Sequence, residues 1–236
     1  MNLAILTYAA ILIPLSGFPL NYLLANKPNI RDVSTLVVAC LTFSIVFQIT
    51  FLNGNNVTEF PLLFSVVKGL DIRLHLEPLG LIFALIASGL WIVTHIYGIG
   101  YMRTNGEKNQ TRFFAFFCLA IFATIGIAFS ANLFSLFIFY EILTLSTFPL
   151  VAHKGSAESV KGARAYLGIL MTTSILFFLP AIIWVFSIVG TLDFSRGGII
   201  TGYFTPSATL LLLILFVFGI GKAAIFPIHP WLPSAM

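Results

Sequence analysis

Two ionisable residues interrupt long apolar runs of the sequence, and both are suited to proton chemistry. Glu141 lies about nine residues into one run, and Lys222 lies near the end of another, after Gly219 and Gly221. A charge at the centre of a bilayer costs roughly 2.5–3.5 kcal/mol, so such residues usually have a role and a partner. Burial favours the neutral form of each group and pairing favours the charged form, which gives a buried pair two accessible protonation states. The pattern predicts proton handling, with a structural salt bridge between two helices as the alternative.

Weaker candidates flank this pair. His229 follows Lys222 in a segment rich in proline and aromatic residues. An unperturbed histidine pKa of about 6.5 suits a relay, and an interfacial histidine is the alternative. Lys161 and Arg164 open the sixth apolar run and mainly supply loop charge, while Arg164 is also placed to stabilise the Glu141 end of a path. Hydroxyl groups near Glu141 are available for hydrogen bonds between helices or to water: Thr144, Ser146 and Thr147.

The elements that must hold these residues are membrane-spanning helices. Of the 236 residues, 59% are apolar and 8% are charged, against roughly 25% charged in a soluble domain. This composition excludes a soluble globular enzyme, a disordered tail and a disulfide-rich secreted scaffold. Barrel strands would alternate apolar and polar residues, whereas these apolar runs are unbroken. We therefore predict an all-α integral membrane protein with about seven transmembrane helices.

Seven apolar runs approach the roughly 20 residues that a helix needs to span a bilayer. They are Leu3–Leu24, Val33–Leu52, Pro78–Gly100, Arg112–Phe129, Leu133–Ala152, Ala163–Val189 and Ser207–Phe226. Glycines before Lys222 and a proline after it predict an interrupted seventh helix, as found where backbone lines an ion path. We divide the chain into residues 1–110, with helices one to three, and 111–236, a proton-translocation module with helices four to seven. The loop 53–77 is predicted to lie outside the cytoplasm and to contain a short strand or hairpin at Ile72–Leu76.

Basic residues in the connecting loops predict the orientation of the helices. Eight follow odd-numbered runs: Lys27, Arg31, Arg103, Lys108, Arg112, Lys154, Lys161 and Arg164. Three lie in the other loops: Lys68, Arg73 and Arg196. Since the side richer in Lys and Arg faces the cytoplasm, the N-terminus is predicted to lie outside.

Motifs for cofactors, metals and nucleic acid are missing from the sequence. It has no CxxC, HExxH, P-loop or strand-to-helix GxGxxG. The net charge is +4, but the basic residues do not form a dense run of the kind that binds nucleic acid. Cys40 and Cys118 lie within apolar runs and are predicted to be unpaired. His95 has no evident second histidine for haem and is predicted to serve packing. We expect no cofactor and no metal.

Two segments carry a family resemblance: YEILTLSTFP at residues 140–149 and GKAAIFPIHPWLPSAM at residues 221–236. They resemble the antiporter-like membrane subunits shared by respiratory complex I, membrane-bound hydrogenases and Mrp-type cation/proton antiporters. The resemblance runs from about Arg112 to Met236. In that family a glutamate of the fifth span and a lysine of the seventh form the proton-path pair, which implies these roles for Glu141 and Lys222.

The resemblance also has implications for the assembly. Ser234 stands where complex I subunits often have an acidic residue, so the ending is more similar to Mrp subunits of the D and A types. That similarity implies H⁺ and Na⁺, or another monovalent cation, as the ions. It also implies other membrane subunits as partners and a bacterial inner membrane as the location.

Members of this family usually contain two inverted repeats, and the sequence matches the first repeat only. We therefore expect a fragment, a truncated gene or one piece of a split subunit, which would need partner chains for activity. Two alternatives stay open. One is the same proton module in a redox-driven complex, either complex I or a hydrogenase. The other is a structural scaffold without transport. A stand-alone enzyme is the least expected class.

Overall fold

The computed structural model describes residues 2–54, 56–60, 64–67 and 70–235, with only the backbone at residues 66 and 67. The helices are α1 (Leu3–Leu23), α2 (Pro28–Asn53), α3 (Pro78–Thr104), α4 (Gln110–Ala128), α5 (Leu133–Val151), α6 (Ala157–Val189), α7 (Pro206–Gly219) and α8 (Trp231–Ala235). The strands are β1 (Thr58–Glu59), β2 (Phe64–Val67), β3 (Leu70–Ile72) and β4 (His75–Leu76). Lys68 and Met236, which enter the predictions above, lie outside the described residues.

The helix lengths confirm the predicted all-α membrane fold. Six helices of the described chain, α1 to α6, are long and apolar enough to cross a membrane, and α7 is a shorter apolar helix. The chain is therefore a multi-pass membrane protein. Helix α2 begins at Pro28 rather than Val33, since proline is favoured in a first helical turn. Helix α6 begins at Ala157 rather than Ala163, because the Ser156 hydroxyl caps it by accepting from the Ser159 amide.

The described residues fall into two compact units, of which the first spans Met1–Phe60 and Leu74–Phe129. It contains helices α1 to α4 and the antiparallel pair β1–β4. Helix α1 approaches α4 closely at Gly17, where a Cβ atom would lie 2.8 Å from the Sγ of Cys118. Cys118 is buried and Cys40 is exposed, and both are free thiols, as predicted.

A buried ion cluster joins α2, α3 and α4 within the first unit. The Arg31 guanidinium donates to Asp32 at 2.6 and 2.8 Å and to the Thr111 hydroxyl at 2.8 Å. Arg103 also pairs with Asp32, at 2.5 Å. The His95 ring lies 3.0 Å from the Asp32 carbonyl through Nε2, so His95 contributes to this packed cluster. Two of these residues, Arg31 and Arg103, were used above only to orient the helices.

The second unit spans Pro61–Arg73 and Ser130–Met236. Its hairpin, β2–β3, is tied to the start of α5, because the Asn132 side chain donates to the Asp71 carbonyl at 2.9 Å and also caps α5 by accepting from Ser135. Hydrogen bonds from Ser65 and then Arg73 lower the pKa of Asp71 below its ordinary value. The apolar core of this unit includes Phe137, Phe178, Ile182, Val185 and Leu212. The hairpin thus fixes the N-terminal end of α5, the helix that carries Glu141.

Candidate functional site

The site lies in the second unit, where the seventh apolar segment stops being helical. Helix α7 ends at Gly219, and a 3₁₀ turn at Gly221–Ala223 follows. Ala224 then takes a left-handed conformation with φ of 51°, which is uncommon for a residue with a Cβ. The predicted interruption of the seventh helix is confirmed, and Lys222 lies within the break.

Small residues let this break approach a second irregular segment. Residues Ser174–Phe178 of α6 form a π-helical turn, a feature often found at functional sites. At Gly219 a Cβ would lie 2.7 Å from the backbone of Phe178, and at Gly221 it would overlap the Thr173 hydroxyl. The two glycines therefore allow the α7 backbone to lie directly against the π turn.

Trp231 holds the chain after the break. Its indole N–H donates to the carbonyl of Gly221 at 2.9 Å, and its ring lies edge-on to Tyr166 of α6 with centroids 5.5 Å apart. A carbonyl released by a broken helix needs such a donor within a membrane. This contact explains the tryptophan of the proline-rich segment as a structural residue.

Tyr140 and Thr144 of α5 receive the ammonium group of Lys222. The nitrogen donates to the Tyr140 carbonyl at 3.1 Å and to the Thr144 hydroxyl, and it lies 3.4 Å from the centre of the Tyr140 ring. The phenol oxygen of Tyr140 accepts a hydrogen bond from the Lys222 backbone N–H at 3.2 Å. A hydroxyl, a carbonyl and an aromatic face together stabilise a cation that has left water.

The Glu141 carboxylate differs from the Lys222 ammonium, because hydrogen bonds from the described residues do not hold it. It is the ninth residue of the 19 in α5, about 12 Å along the helix axis and so near its middle. Both carboxylate oxygens are buried, and neither has a hydrogen-bond partner among the described residues. The Ser174 side chain of the π turn lies near enough to the carboxylate to reach it, and Lys222 acts on the carboxylate electrostatically. In this arrangement the Ser174 hydroxyl donates instead to the Met171 carbonyl at 3.1 Å. A buried carboxylate without a hydrogen bond is costly and rare in proteins, which makes Glu141 a candidate functional residue.

The two main candidates are thus neighbours that are not bonded to one another. Glu141 and Lys222 interact electrostatically, yet they do not form one of the ion pairs seen among the described residues. Lys222 instead rests on Tyr140 and Thr144. Proton exchange between the pair remains a prediction.

The secondary candidates lie on the surface of the described chain. His229 is exposed and stacks on Phe226, with ring centroids 5.7 Å apart. Lys161 and Arg164 are exposed on the first turns of α6, and the described contacts do not join Arg164 to Glu141. The structure therefore brings together Glu141 and Lys222 but not these three residues.

Sequence reasoning missed the part played by Tyr140. An aromatic residue beside a buried acid has no distinctive spacing, so nothing in the sequence pointed to a contact across 82 positions. The hydroxyl residues were predicted to hydrogen-bond between helices or to water. Thr147 bonds between helices, with its oxygen 2.6 Å from the phenol oxygen of Tyr166. Ser146 bonds only within its own helix.

These features define a class of protein. A multi-pass helical chain with a partly buried acid and amine, and with a broken helix beside a π turn, has the features of ion-handling membrane proteins. Residues 130–236 match the family described as NADH:quinone oxidoreductase/Mrp antiporter, transmembrane. Residues 66–114 match the N-terminal region of complex I chain 5. The chain belongs to the antiporter-like family of membrane subunits.

Individual relatives come from both branches of this family. The chain is 31% identical over 159 residues to NADH-quinone oxidoreductase subunit N of Desulforudis audaxviator, a match that covers 64% of the chain and 31% of that relative. It is 31% identical over 183 residues to a protein described as an antiporter subunit of Staphylococcus haemolyticus, covering 75% of the chain and 22% of that relative. In fold it is similar to the Mrp complex of a Dietzia species, with a TM-score of 0.80 at 19% identity, covering all of this chain and 25% of the solved one. The chain therefore spans about a third or less of the length of these proteins.

Proposed function

We propose that the chain is a proton-translocating subunit of a multisubunit monovalent cation/H⁺ antiporter, with Glu141 and Lys222 as the proton-transferring groups. The observation that carries this proposal is the Glu141 carboxylate, whose buried oxygens accept no hydrogen bond among the described residues and which has an amine for a neighbour. A purely structural acid would be satisfied, as Asp32 is by the guanidinium groups of Arg31 and Arg103. An unsatisfied acid beside a lysine has a free-energy reason to change its partner or its protonation state.

In the proposed cycle, Glu141 exchanges protons with a hydrated access path, and Lys222 alternates between Glu141 and its position on Tyr140 and Thr144. When the two groups meet, one N–H bond breaks and one O–H bond forms, which leaves a neutral amine and a neutral carboxyl group. His229 is proposed to relay a proton to the neutral Lys222 amine from the side beyond the break, which returns Lys222 to its charged form. Lys161 and Arg164 are proposed to line the cytoplasmic approach.

The ion and the assembly are proposals that rest on the relatives. The similarity to an antiporter subunit supports Na⁺ or another monovalent cation on the opposite leg of the exchange. The similarity to a quinone oxidoreductase subunit favours a second candidate, a proton-pumping subunit of a redox-driven complex. In either case further transmembrane helices, from other subunits of the same complex, would complete the path. We place the chain in a bacterial inner membrane with its N-terminus outside.

Exchange measured in everted membrane vesicles tests this proposal. The chain is expressed with its associated membrane subunits in a host that lacks its own Na⁺/H⁺ antiporters. A pH gradient is imposed, and its collapse on addition of Na⁺ is followed with a fluorescent pH indicator. Glu141→Gln keeps the shape and removes the titratable group, so we expect exchange to fall at least about 100-fold with assembly preserved, a typical contribution of a proton-transferring residue. Glu158→Gln, the same change at an exposed acid on α6, is the control and should retain exchange.

Other outcomes of these flux measurements distinguish the remaining candidate functions. Proton pumping that depends on quinone or hydrogen oxidation, is insensitive to Na⁺ and is lost in Glu141→Gln would establish the second candidate. Full Na⁺/H⁺ exchange in Glu141→Gln would refute the assigned role of Glu141. A chain that assembles but leaves every flux of the complex unchanged when Glu141 is replaced is a scaffold.

A further inference from the structure

The Lys222 ammonium has a resting position that satisfies it without Glu141. An ammonium group offers three N–H donors. Two of them point to the Tyr140 carbonyl and the Thr144 hydroxyl, and the nitrogen also lies over the face of the Tyr140 ring. The Thr144 hydroxyl has already given its one proton to the Tyr140 carbonyl at 3.0 Å, so its oxygen is free to accept from Lys222.

This position is rigid on the side of α5. The Tyr140 side chain is only 6% exposed, and its ring lies edge-on to Phe178 with centroids 5.9 Å apart. Phe178 closes the π turn of α6, and its backbone is packed against Gly219. Packing against Phe178 therefore fixes the Tyr140 ring, whereas the four-carbon side chain of Lys222 retains freedom to move.

We propose that Tyr140 and Thr144 form a lysine cradle, a second binding position for the Lys222 ammonium that competes with Glu141 for it. The inference rests on the proposed function and assigns positioning roles to two residues outside the acid–amine pair. The cradle stabilises the charged amine when Glu141 is not its partner. It thereby sets how readily Lys222 leaves for Glu141.

The chemistry of the cradle favours one protonation state. Its carbonyl and hydroxyl oxygens both accept hydrogen bonds, and an aromatic face attracts a cation. A neutral amine has one N–H fewer and no net charge, so it loses a donor and the attraction of the ring. After Lys222 gives its proton to Glu141, the cradle holds the amine only weakly until the amine is protonated again.

The test measures how often the Lys222 amine is neutral in native membrane vesicles that contain the whole complex. Formaldehyde with cyanoborohydride methylates only neutral amines, and mass spectrometry of peptides reports the extent at each lysine. The ratio of Lys222 to the exposed Lys161 in the same sample corrects for reagent and time. The variants are Thr144→Val, Glu141→Gln and the two combined, which gives a double-mutant cycle.

The cradle and Glu141 each stabilise the charged Lys222 amine when the other is absent. Removing both should therefore raise the neutral fraction of Lys222 far more than removing either one. We expect each single variant to raise the ratio about threefold and the double variant to raise it about a hundredfold, well beyond the product of the singles. Thr147→Val, the same change one turn along α5 at a hydroxyl that contacts Tyr166 instead, should leave the ratio unchanged. Thr144→Ser keeps the hydroxyl and should restore the wild-type ratio, which separates loss of the cradle from misfolding.

A simple product of the single effects, or equal effects of Thr144→Val and Thr147→Val, would overturn the cradle. That failure is distinct from failure of the proposed function. If Glu141→Gln abolishes exchange while the cycle is multiplicative, the function stands and the cradle falls. If the cycle is strongly coupled while Glu141→Gln exchanges normally, the cradle stands and the assigned function of Glu141 falls.

Discussion

The Arg31 guanidinium and the Glu141 carboxylate show two ways in which this chain keeps charged groups away from water. Arg31 is 3% exposed and Asp32 is 2% exposed, and each is fully engaged with charged or polar neighbours. Glu141 is only partly buried as a residue, but both of its carboxylate oxygens are buried and make no hydrogen bond among the described groups. A satisfied cluster stabilises helix packing, whereas an unsatisfied acid favours a change of state. This difference in partners, rather than the presence of charge, is why we assign a structural role to Arg31 and propose a proton-transferring role for Glu141.

The first unit offers a prediction at this scale. Asp32→Asn leaves Arg31 and Arg103 without their shared anion, and breaking a buried pair costs about 3–5 kcal/mol. We expect a clear drop in the thermal unfolding midpoint of the purified protein in detergent. Glu158→Gln removes an exposed carboxylate and should leave the midpoint within about a degree, since exposed charges contribute little. Equal midpoints for the two variants would show that the cluster does not hold α2, α3 and α4 together.

At the scale of elements, two irregular segments make the site. The π turn of α6 and the break after α7 meet through Gly219 and Gly221. A regular helix at either place would move the backbone of Lys222 away from Tyr140. The irregular backbone is tolerated within the membrane because it is packed against protein and because Trp231 satisfies the carbonyl of Gly221.

Glycine substitutions test this contact between elements. Gly219→Ala places a methyl group 2.7 Å from the backbone of Phe178, which cannot move as a flexible side chain would. Overpacking of this kind costs about 1–3 kcal/mol, so we expect a lower unfolding midpoint and loss of exchange. Gly168→Ala, on α6 where a Cβ meets nothing within 4 Å, is the matched control and should keep both. A Gly219→Ala protein that is as stable and as active as the control would contradict the close packing described here.

At the scale of the whole molecule, hydropathy predicted the membrane class and the positions of the spans. A segment that crosses lipid must itself be apolar along about 20 residues, so the signal is local in the sequence. The interruption at Lys222 was also predictable, since glycine and proline mark it locally. The π turn was not, because its residues, SILFF, are as apolar as the helix around it. The contact of Lys222 with Tyr140 and the cluster around Asp32 depend on tertiary packing across long sequence separations. No local pattern carries that information.

The most direct test of the central claim replaces Lys222 by arginine in the reconstituted complex and measures cation-driven proton flux. Arginine keeps the positive charge but cannot release a proton in a protein, so a site that works by proton transfer must stop while a site that needs only charge must continue. If Lys222 transfers protons, the Lys222→Arg complex should assemble normally, and its cation-driven proton flux should fall at least about 100-fold, as expected for a proton-transferring group. Lys154→Arg, the same exchange at an exposed position outside the proposed path, should behave as wild type. Flux in Lys222→Arg within a factor of about two of wild type would contradict proton transfer by this lysine.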